Sequence, residues 1–405
     1  MSPTRRLQGD WLTLPSTRAV MAALEAARPG GARYVGGCVR NEIRGLAVDD
    51  IDIATQILPQ DVMAAMETAG IRAIPTGIEH GTVTAIADGR PYEITTLRRD
   101  VETDGRRAVV SFTEDWAEDA ARRDFRMNAI YAAPDGSIEE VVPGSVDDAI
   151  AGRVIFIGDA DQRLIEDYLR ILRFFRFNAW YGAGVDEPGL AACARQKDGL
   201  KKIAAERIWK EMKRTLAAPD PSVALMAMED SGVLDVVLPA ARTSVLPGLI
   251  AAEQGTGAAP DPMQRLMALL PRRLTDVEAA SRALRLSNAE RDRLADWASP
   301  ALGHVVPLGP EARRETLYRF GAAAVKDRAL VDAAQGAPLD DVAAVLKAAE
   351  AWQRPVLPVD GNDALKAGFS GPEVGAALAS VEADWIASDF TLTRDALLSR
   401  LKPAG

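Results

Sequence analysis

Cysteine and histidine are almost absent from this 405-residue chain, with two of each. Cys38 and Cys193 cannot build a disulfide framework, which points to a reducing compartment. His80 and His304 are too few for a histidine-based zinc centre or a His-Asp phosphohydrolase site. Any metal should then be a hard ion held by oxygen, such as Mg²⁺. No apolar run reaches the ~18 residues that suggest a membrane span. The opening MSPTRRLQGDW lacks the apolar stretch of a secretion signal, so the expected location is cytoplasmic, with no membrane partner. Excess positive charge is missing as well. A net charge of −10 argues against a nonspecific nucleic-acid binder and against DNA as a partner.

That negative charge is unevenly spread. Residues 1–150 hold 16 Lys and Arg against 24 Asp and Glu, whereas 151–217 hold 13 against 9. The middle segment is a basic island in an acidic chain. Its length gives the chain room for two or more domains. Residues 33–157 mix strand and helix patterns. Strands are expected at 83–86, 92–97 and 154–157, and a helix at 59–69. Beyond about residue 160 the strand signals fade. Helical spacing then dominates, broken near 182–189, 219–221, 255–262, 307–310 and 355–361. No repeat or low-complexity tract interrupts it. The fold class expected is α+β, a small mixed sheet with helices followed by an all-α region. The expected divisions are 1–157, 158–217 and 218–405.

The most informative stretch is VDDIDIAT, residues 48–55. In a strand, Asp50 and Asp52 share one face and Ile51 and Ile53 the other. Two residues of strand span roughly 6.6 Å, so both carboxylates can reach a pair of metal ions. Upstream, RYVGGCVRNEIRG reads as a strand, the pair Gly36–Gly37 and a helix, a natural seat for phosphates. Glu93, in PYEITTL, can supply a third acid from a neighbouring strand. It can equally be a solvated strand residue. RRDVETDGRRAVV, 98–110, has no clear period and reads as a polar loop, either a lid over a phosphate site or plain surface.

In DAARRDFRMN, 119–128, Arg122 and Arg123 can pair with phosphates, and Asp124 can orient an arginine or a ribose hydroxyl. A salt-bridged helix face is the competing reading. EDYLRILRFFRF, 166–177, is apolar around most of a helix, yet Asp167, Arg170 and Arg173 recur along one side. Donors beside an acceptor can read a base edge, or form an internal ion-pair ladder. ERIWKE places Arg207 and Glu211 one turn apart among Lys201, Lys202, Lys210, Lys213 and Arg214. Alone it is a solvated helix face.

Taken together these segments resemble the class II tRNA nucleotidyltransferases, the CCA-adding enzymes, and their relatives the bacterial poly(A) polymerases. GGCVRN with DIDIAT resembles the family's first motif, ARRDFRMNAI the second, EDYLR the nucleotide-selecting motif and ERIWKE the one after it. Order and spacing agree over roughly 33–214. The resemblance implies a polymerase-β-like nucleotidyltransferase head, a helical neck that recognises the base, and a helical body that binds tRNA. It implies that Asp50 and Asp52 hold two Mg²⁺ ions, supported by Glu93. Gly36, Gly37 and Arg40 would contact the triphosphate. Arg122, Arg123 and Asp124, with Asn128 beside them, would place the sugar and phosphates. Asp167 and Arg170, with Arg173, would select CTP and ATP by their base edges. The loop carrying Arg98, Arg99, Asp100, Asp104, Arg106 and Arg107 would switch C to A addition. The implied reaction is addition of C, C and A to the 3′ end of tRNA, with release of pyrophosphate and no obligatory protein partner.

Two positions depart from the family pattern. Asn41 stands where Asp is usual, which is expected to soften a helix-start contact. Arg126 replaces the usual Thr or Ser, and either alters the nucleotide pocket or points outward. A poly(A) polymerase or a partial CC- or A-adding enzyme is the alternative within enzymes. The weakly basic ending TRDALLSRLKPAG and the intact 98–110 segment favour full CCA addition. A noncatalytic RNA-binding protein on the same fold is the alternative of another class.

Overall fold

The computed structural model describes residues 6–103 and 108–401, with side chains outside 100–110. The chain forms two compact units, 1–239 and 240–405. The first is built on nine strands: β1 Ala32–Val35, β2 Ile51–Thr55, β3 Arg72–Gly77, β4 Thr82–Ala87, β5 Arg90–Thr96, β6 Arg98–Thr103, β7 Ala108–Phe112, β8 Tyr131–Ala132 and β9 Ile138–Glu139. Seven of them make one mixed sheet in the order β3-β4-β5-β2-β1-β8-β9, with β2 and β5 parallel and the other neighbours antiparallel. The expected mixed sheet is therefore present. The β2–β5 register sets Ile51 opposite Tyr92, Asp52 opposite Glu93 and Ile53 opposite Ile94. The apolar members of these pairs are buried, which turns Asp52 and Glu93 to the other face.

Eleven helices accompany the sheet: α1 Pro15–Ala27, α2 Gly37–Ile43, α3 Pro59–Thr68, α4 Trp116–Ala121, α5 Ser145–Ala151, α6 Ala160–Glu166, α7 Leu169–Tyr181, α8 Glu187–Gln196, α9 Ala205–Leu216, α10 Ser222–Asp230 and α11 Val233–Val237. Tyr92 ties the sheet to α1, its hydroxyl lying 2.9 Å from Ser16 Oγ and 3.0 Å from Thr17 Oγ1. Phe125 joins the chain after α4 to α7, with ring centroids 5.0 Å from Phe156 and 5.0 Å from Phe177. This aromatic cluster fixes the neck helix against the head.

Four local expectations need correction. The carboxylate strand starts at Ile51, not Val48, so Asp50 sits just outside the sheet. Residues 154–157 form no strand, only an isolated bridge between Phe125 and Phe156, because the segment is spent on the aromatic cluster. Residues 98–110 were expected as a loop without period, yet β6 and β7 pair antiparallel. The charged run of β6 hid its partner, the β-prone AVVSF. The 166–177 segment is not one helix: α6 ends at Glu166 and Asp167 takes extended backbone, φ −151°. The expected body of that segment is buried as anticipated, from Leu169 to Phe177.

The second unit is wholly helical: α12 Leu246–Thr256, α13 Pro262–Leu269, α14 Leu274–Leu284, α15 Asn288–Ala298, α16 Pro310–Ala334, α17 Leu339–Glu350, α18 Gly361–Lys366, α19 Pro372–Ala387 and α20 Arg394–Leu398. Gly321 breaks α16 with φ 79°. The expected breaks at 255–262, 307–310 and 355–361 all fall between helices. A fully buried Arg265 is held by Glu253, Nη2 to Oε2 2.7 Å. Among the described residues no helix is long and apolar enough to cross a membrane.

Candidate active site

The site begins at the turn from β1 into α2. Gly36 has φ +71°, where side chains are strained, and a Cβ there would also meet Arg123 Nη1 and Asn128 O at 3.6 Å. The next glycine keeps the wall open: a Cβ on Gly37 would stand 4.0 Å from Asp52 Oδ2 and 3.9 Å from Arg40 Nη2. The backbone itself thus forms part of a cavity of about 530 Å³. Its lining gathers Gly36, Gly37, Arg40 and Asp52 from the sheet side, Arg122, Arg123, Asp124 and Asn128 from the turn after α4, and Asp167, Arg170 and Arg173 from the neck. Segments 36–52, 122–128 and 167–173 are far apart in sequence and share one room.

In the middle of the sheet Asp52 stands opposite Glu93, with Asp50 just before the strand, although among the described residues no three acidic, histidine or cysteine groups are gathered closely enough to hold a metal ion. Burial pushes the Asp52 carboxyl up to about 6, with Glu93 and then Asp50 adding to the rise against Arg123 and Arg40. Glu93 and Asp50 are exposed and lie outside the cavity lining. The acids on hand offer only carboxylate oxygen, a donor type that suits Mg²⁺ and not a soft ion. Behind it, burial pushes the Cys38 thiol up to about 12, so it offers no thiolate.

The arginines are held rather than free. Asp119, fully buried at the end of α4, accepts from Arg122 Nη2 at 2.6 Å, Arg123 Nη2 at 3.0 Å and Tyr131 Oη at 2.9 Å. Burial raises the Asp119 carboxyl, and Arg123 and Arg122 more than reverse this. Arg40 gives Nη1 to Asn128 Oδ1 at 2.5 Å and lies 3.9 Å over the Tyr181 ring. Asn128 in turn donates to Asp124 Oδ1 at 3.0 Å. Asp124 also accepts from Phe125 N at 2.8 Å and from Arg173 Nε at 2.9 Å. Burial would raise its carboxyl, but Arg173, Asn128 and the Phe125 amide together outweigh burial and it lies at about 2.

In the neck, Arg170 gives Nη1 to Glu166 Oε2 at 2.6 Å and to Arg163 O at 2.7 Å, and Nη2 to Arg122 O at 3.2 Å. Asp167 accepts from Leu169 N at 3.0 Å and from Arg207 Nη2 at 3.3 Å. The three charged residues pair outside their own series, Arg170 with Glu166, Arg173 with Asp124 and Asp167 with Arg207, and all three line the cavity.

Several lining or supporting residues carried no assigned role in the sequence. Phe177 and Leu169 line the cavity but read as ordinary core, and Arg207 read as a solvated face. Asp119, Arg122 and Arg123 stand at helical i, i+3, i+4 spacing, a signal that could have identified Asp119 as their anchor. The hairpin residues are not brought in: Arg99 Nη1 lies 3.4 Å from Glu118 Oε1, and Arg98 bonds His80 O, both away from the cavity lining. The Asp100 side chain and residues Asp104, Arg106 and Arg107 lie outside what the structure describes.

The two unusual positions acquire physical roles. Asn41 is inside α2, not at its start. Its Oδ1 accepts from Arg40 Nη2 at 2.8 Å and its Nδ2 donates to Ala47 O at 2.9 Å, bracing the arginine and the turn before Asp50. Arg126 points away from the cavity, with Nε 2.9 Å from the buried Asp148 Oδ2 and Nη2 2.9 Å from Pro143 O. Arg126→Ala should therefore cost stability, about 1–3 kcal/mol, and leave the Michaelis constant for CTP within twofold. A tenfold change in that constant would place Arg126 back in the pocket.

The comparisons with known proteins agree with this arrangement. Residues 32–155 match the poly A polymerase head domain, and 185–244 match the probable RNA and SrmB-binding site of polymerase A. The mitochondrial CCA tRNA nucleotidyltransferase 1 of Mus musculus is 33% identical over 91% of this chain and 86% of its own length. The CCA-adding enzyme of Limosilactobacillus fermentum is 31% identical over 91% and 92%. The crystal structure of Bacillus stearothermophilus CCA-adding enzyme in complex with CTP superposes with a TM-score of 0.75 at 26% identity, covering 96% of this chain and 97% of that one. Sequence likeness over most of the chain and likeness of fold thus agree, and the chain belongs to the CCA tRNA nucleotidyltransferase family.

Proposed function

We propose that this chain adds C, C and A from CTP and ATP to the 3′ end of tRNA without a nucleic-acid template. The observation that carries the reading is one cavity in which the glycine turn and arginines meet Asp52 on one side and Asp167 and Arg170 on the other. Phosphates and base can then be held at once by protein groups alone. Segments 1–157, 158–217 and 218–405 act as catalytic head, base-reading neck and tRNA-holding body. The absence of disulfides and the buried thiols suit a reducing compartment such as the cytosol.

The chemistry follows from the residues. Gly36, Gly37 and Arg40 cradle the triphosphate, Arg122 and Arg123 neutralise it, and Asp124 and Asn128 orient the sugar. Asp50 and Asp52 would hold two Mg²⁺ ions with Glu93 in support. Bound there, such ions stabilise the attacking and leaving oxygens and lower the pKa of the primer hydroxyl. No covalent enzyme intermediate is required. The rate then comes from positioning and charge, as in other phosphoryl transfers.

Asp167 accepts and Arg170 donates, the two functions needed to read the pairing edge of cytosine or adenine. Arg170→Ala should lower discrimination of CTP and ATP against UTP and GTP by about tenfold, one lost hydrogen-bond contact. It should also cost about 1–3 kcal/mol of stability, since Arg170 also holds Glu166 and two carbonyls. Competition between nucleotides in primer extension reads the first effect and thermal unfolding the second. The reading as a whole is tested by equilibrium binding of CTP, ATP, UTP and GTP to the protein without tRNA. Mg²⁺-dependent binding that favours CTP and ATP supports it; equal binding of all four, or none, overturns it.

A further inference from the structure

We propose that the exposed face of α9 and the end of α7 form a track for the single-stranded 3′ segment of the RNA, with Trp180 as a stacking platform. This rests on the reading of tRNA as substrate. Helix α9 is tied at three levels to α7 and to the extended residue just before it. Asp167 meets Arg207 at 3.3 Å, Arg176 Nε meets Glu211 Oε2 at 2.6 Å, and Trp180 Nε1 donates to Arg214 O at 2.8 Å. Residue numbers climb together on both helices, so both run in the same direction away from the cavity.

Arg207 lines that cavity. Lys210 and Arg214 follow it at i+3 and i+7, the spacing that keeps side chains on one helical face. Both are exposed, and neither has a carboxylate partner among the described residues. Of the two carboxylates on α9, Glu211 is buried beneath in its pair with Arg176, and the exposed Glu206 is outnumbered on that side by Arg207, Lys210, Lys213 and Arg214. The stripe is therefore positive where it meets solvent.

At its far end stands Trp180, which is 42% exposed although its only polar atom is bonded. An indole pinned by its N–H with its ring in water offers a rigid π-face to a base. Stacking on such a face tolerates any sequence. From Arg207 to Arg214 the helix rises about 10 Å. A stacked strand advances ~3.4 Å per nucleotide, so the stripe matches roughly three nucleotides. A basic line ended by an aromatic ring is the combination that binds single strands.

The test uses the full-length protein, a tRNA ending in CC, and the same tRNA with its 3′ overhang removed to leave a blunt stem. The variants are Lys210→Gln with Arg214→Gln, Trp180→Ala and Trp180→Phe. For the overhang tRNA the double charge variant should raise the dissociation constant about tenfold, and the slope of log affinity against log salt should fall by ~1.4, near 0.7 per lost phosphate contact. Trp180→Ala should weaken binding about tenfold, and Trp180→Phe less than threefold, because the ring and not its N–H does the stacking. The blunt tRNA should lose little in every variant. Should Trp180→Ala unfold, the charge variant and Trp180→Phe carry the test. Unchanged affinity and salt slope, or equal losses for blunt and overhang tRNA, would overturn the track. Wild-type protein that binds tRNA but extends none would overturn the enzymatic reading instead and leave the track to be judged on binding.

Discussion

Asp52→Asn is expected to lower nucleotide addition by at least roughly 10³-fold while tRNA affinity stays within a few-fold. The substitution keeps shape and removes charge. Asp52 is the one carboxylate that faces the cavity from β2, directly beside Glu93 in the sheet register. Loss of its charge would also relieve the repulsion it shares with Glu93 and Asp50, so the folded protein should gain or hold stability. That combination, a dead enzyme with an equal or higher melting temperature, separates a functional carboxylate from a structural one. Residual addition near the parental rate would remove Asp52 from the chemistry. The check is single-turnover extension of a tRNA ending in CC, run beside thermal unfolding.

The second large effect is expected at Arg173. Arg173→Ala leaves Asp124 buried without its guanidinium, and breaking such a pair costs about 3 kcal/mol. The wild-type protein should show the matching pH signature. The Asp124 carboxyl lies at about 2 when folded and near 3.8 otherwise. A depressed folded value means its stabilisation is present above pH 3.8 and is lost as pH falls towards 2. The shift corresponds to about 2 kcal/mol. Arg173→Ala should therefore lose most stability at neutral pH and converge on the wild type as Asp124 protonates in acid. A constant difference at every pH would mean that packing around Phe177, and not the ion pair, carries the loss. Urea unfolding from pH 7 to pH 2 measures it.

Much of the site was legible because charge in a half-buried pattern has few explanations. Asp50 and Asp52 stood out as acids between isoleucines that a sheet must bury, and Arg170 and Arg173 as cations on a helix otherwise apolar all round. Such residues need partners or ligands, and spacing alone exposes them. The glycine turn was readable because a positive φ selects glycine at Gly36. What stayed hidden depends on tertiary contact. No local pattern shows that Asn128 links Arg40 to Asp124, or that Asp119 pins two arginines and a tyrosine at once. The break at Asp167 was missed because an unbroken apolar period runs through it, although the extended residue there is what aims the carboxylate at Arg207 and the cavity. The β6–β7 ribbon was missed for the opposite reason: its first strand is charged, and only its partner reads as a strand.

Asn41 and Arg126 show how a departure from the family pattern can be absorbed. Asn41 still accepts from Arg40 through its amide oxygen, and it gains a donor that an aspartate lacks. Arg126 takes up a buried aspartate on α5, outside the nucleotide's reach. Neither position removes a group that the proposed chemistry requires.

The central claim is that protein side chains, not a template, fix which nucleotides are added and where addition stops. Its most direct test is extension of a tRNA lacking its 3′ CCA, with Mg²⁺ and CTP, ATP or both, resolved to single nucleotides. The account predicts two additions with CTP alone and termination after C, C and A with both. A long A tail, a stop after CC in the presence of ATP, or no extension at all would contradict it.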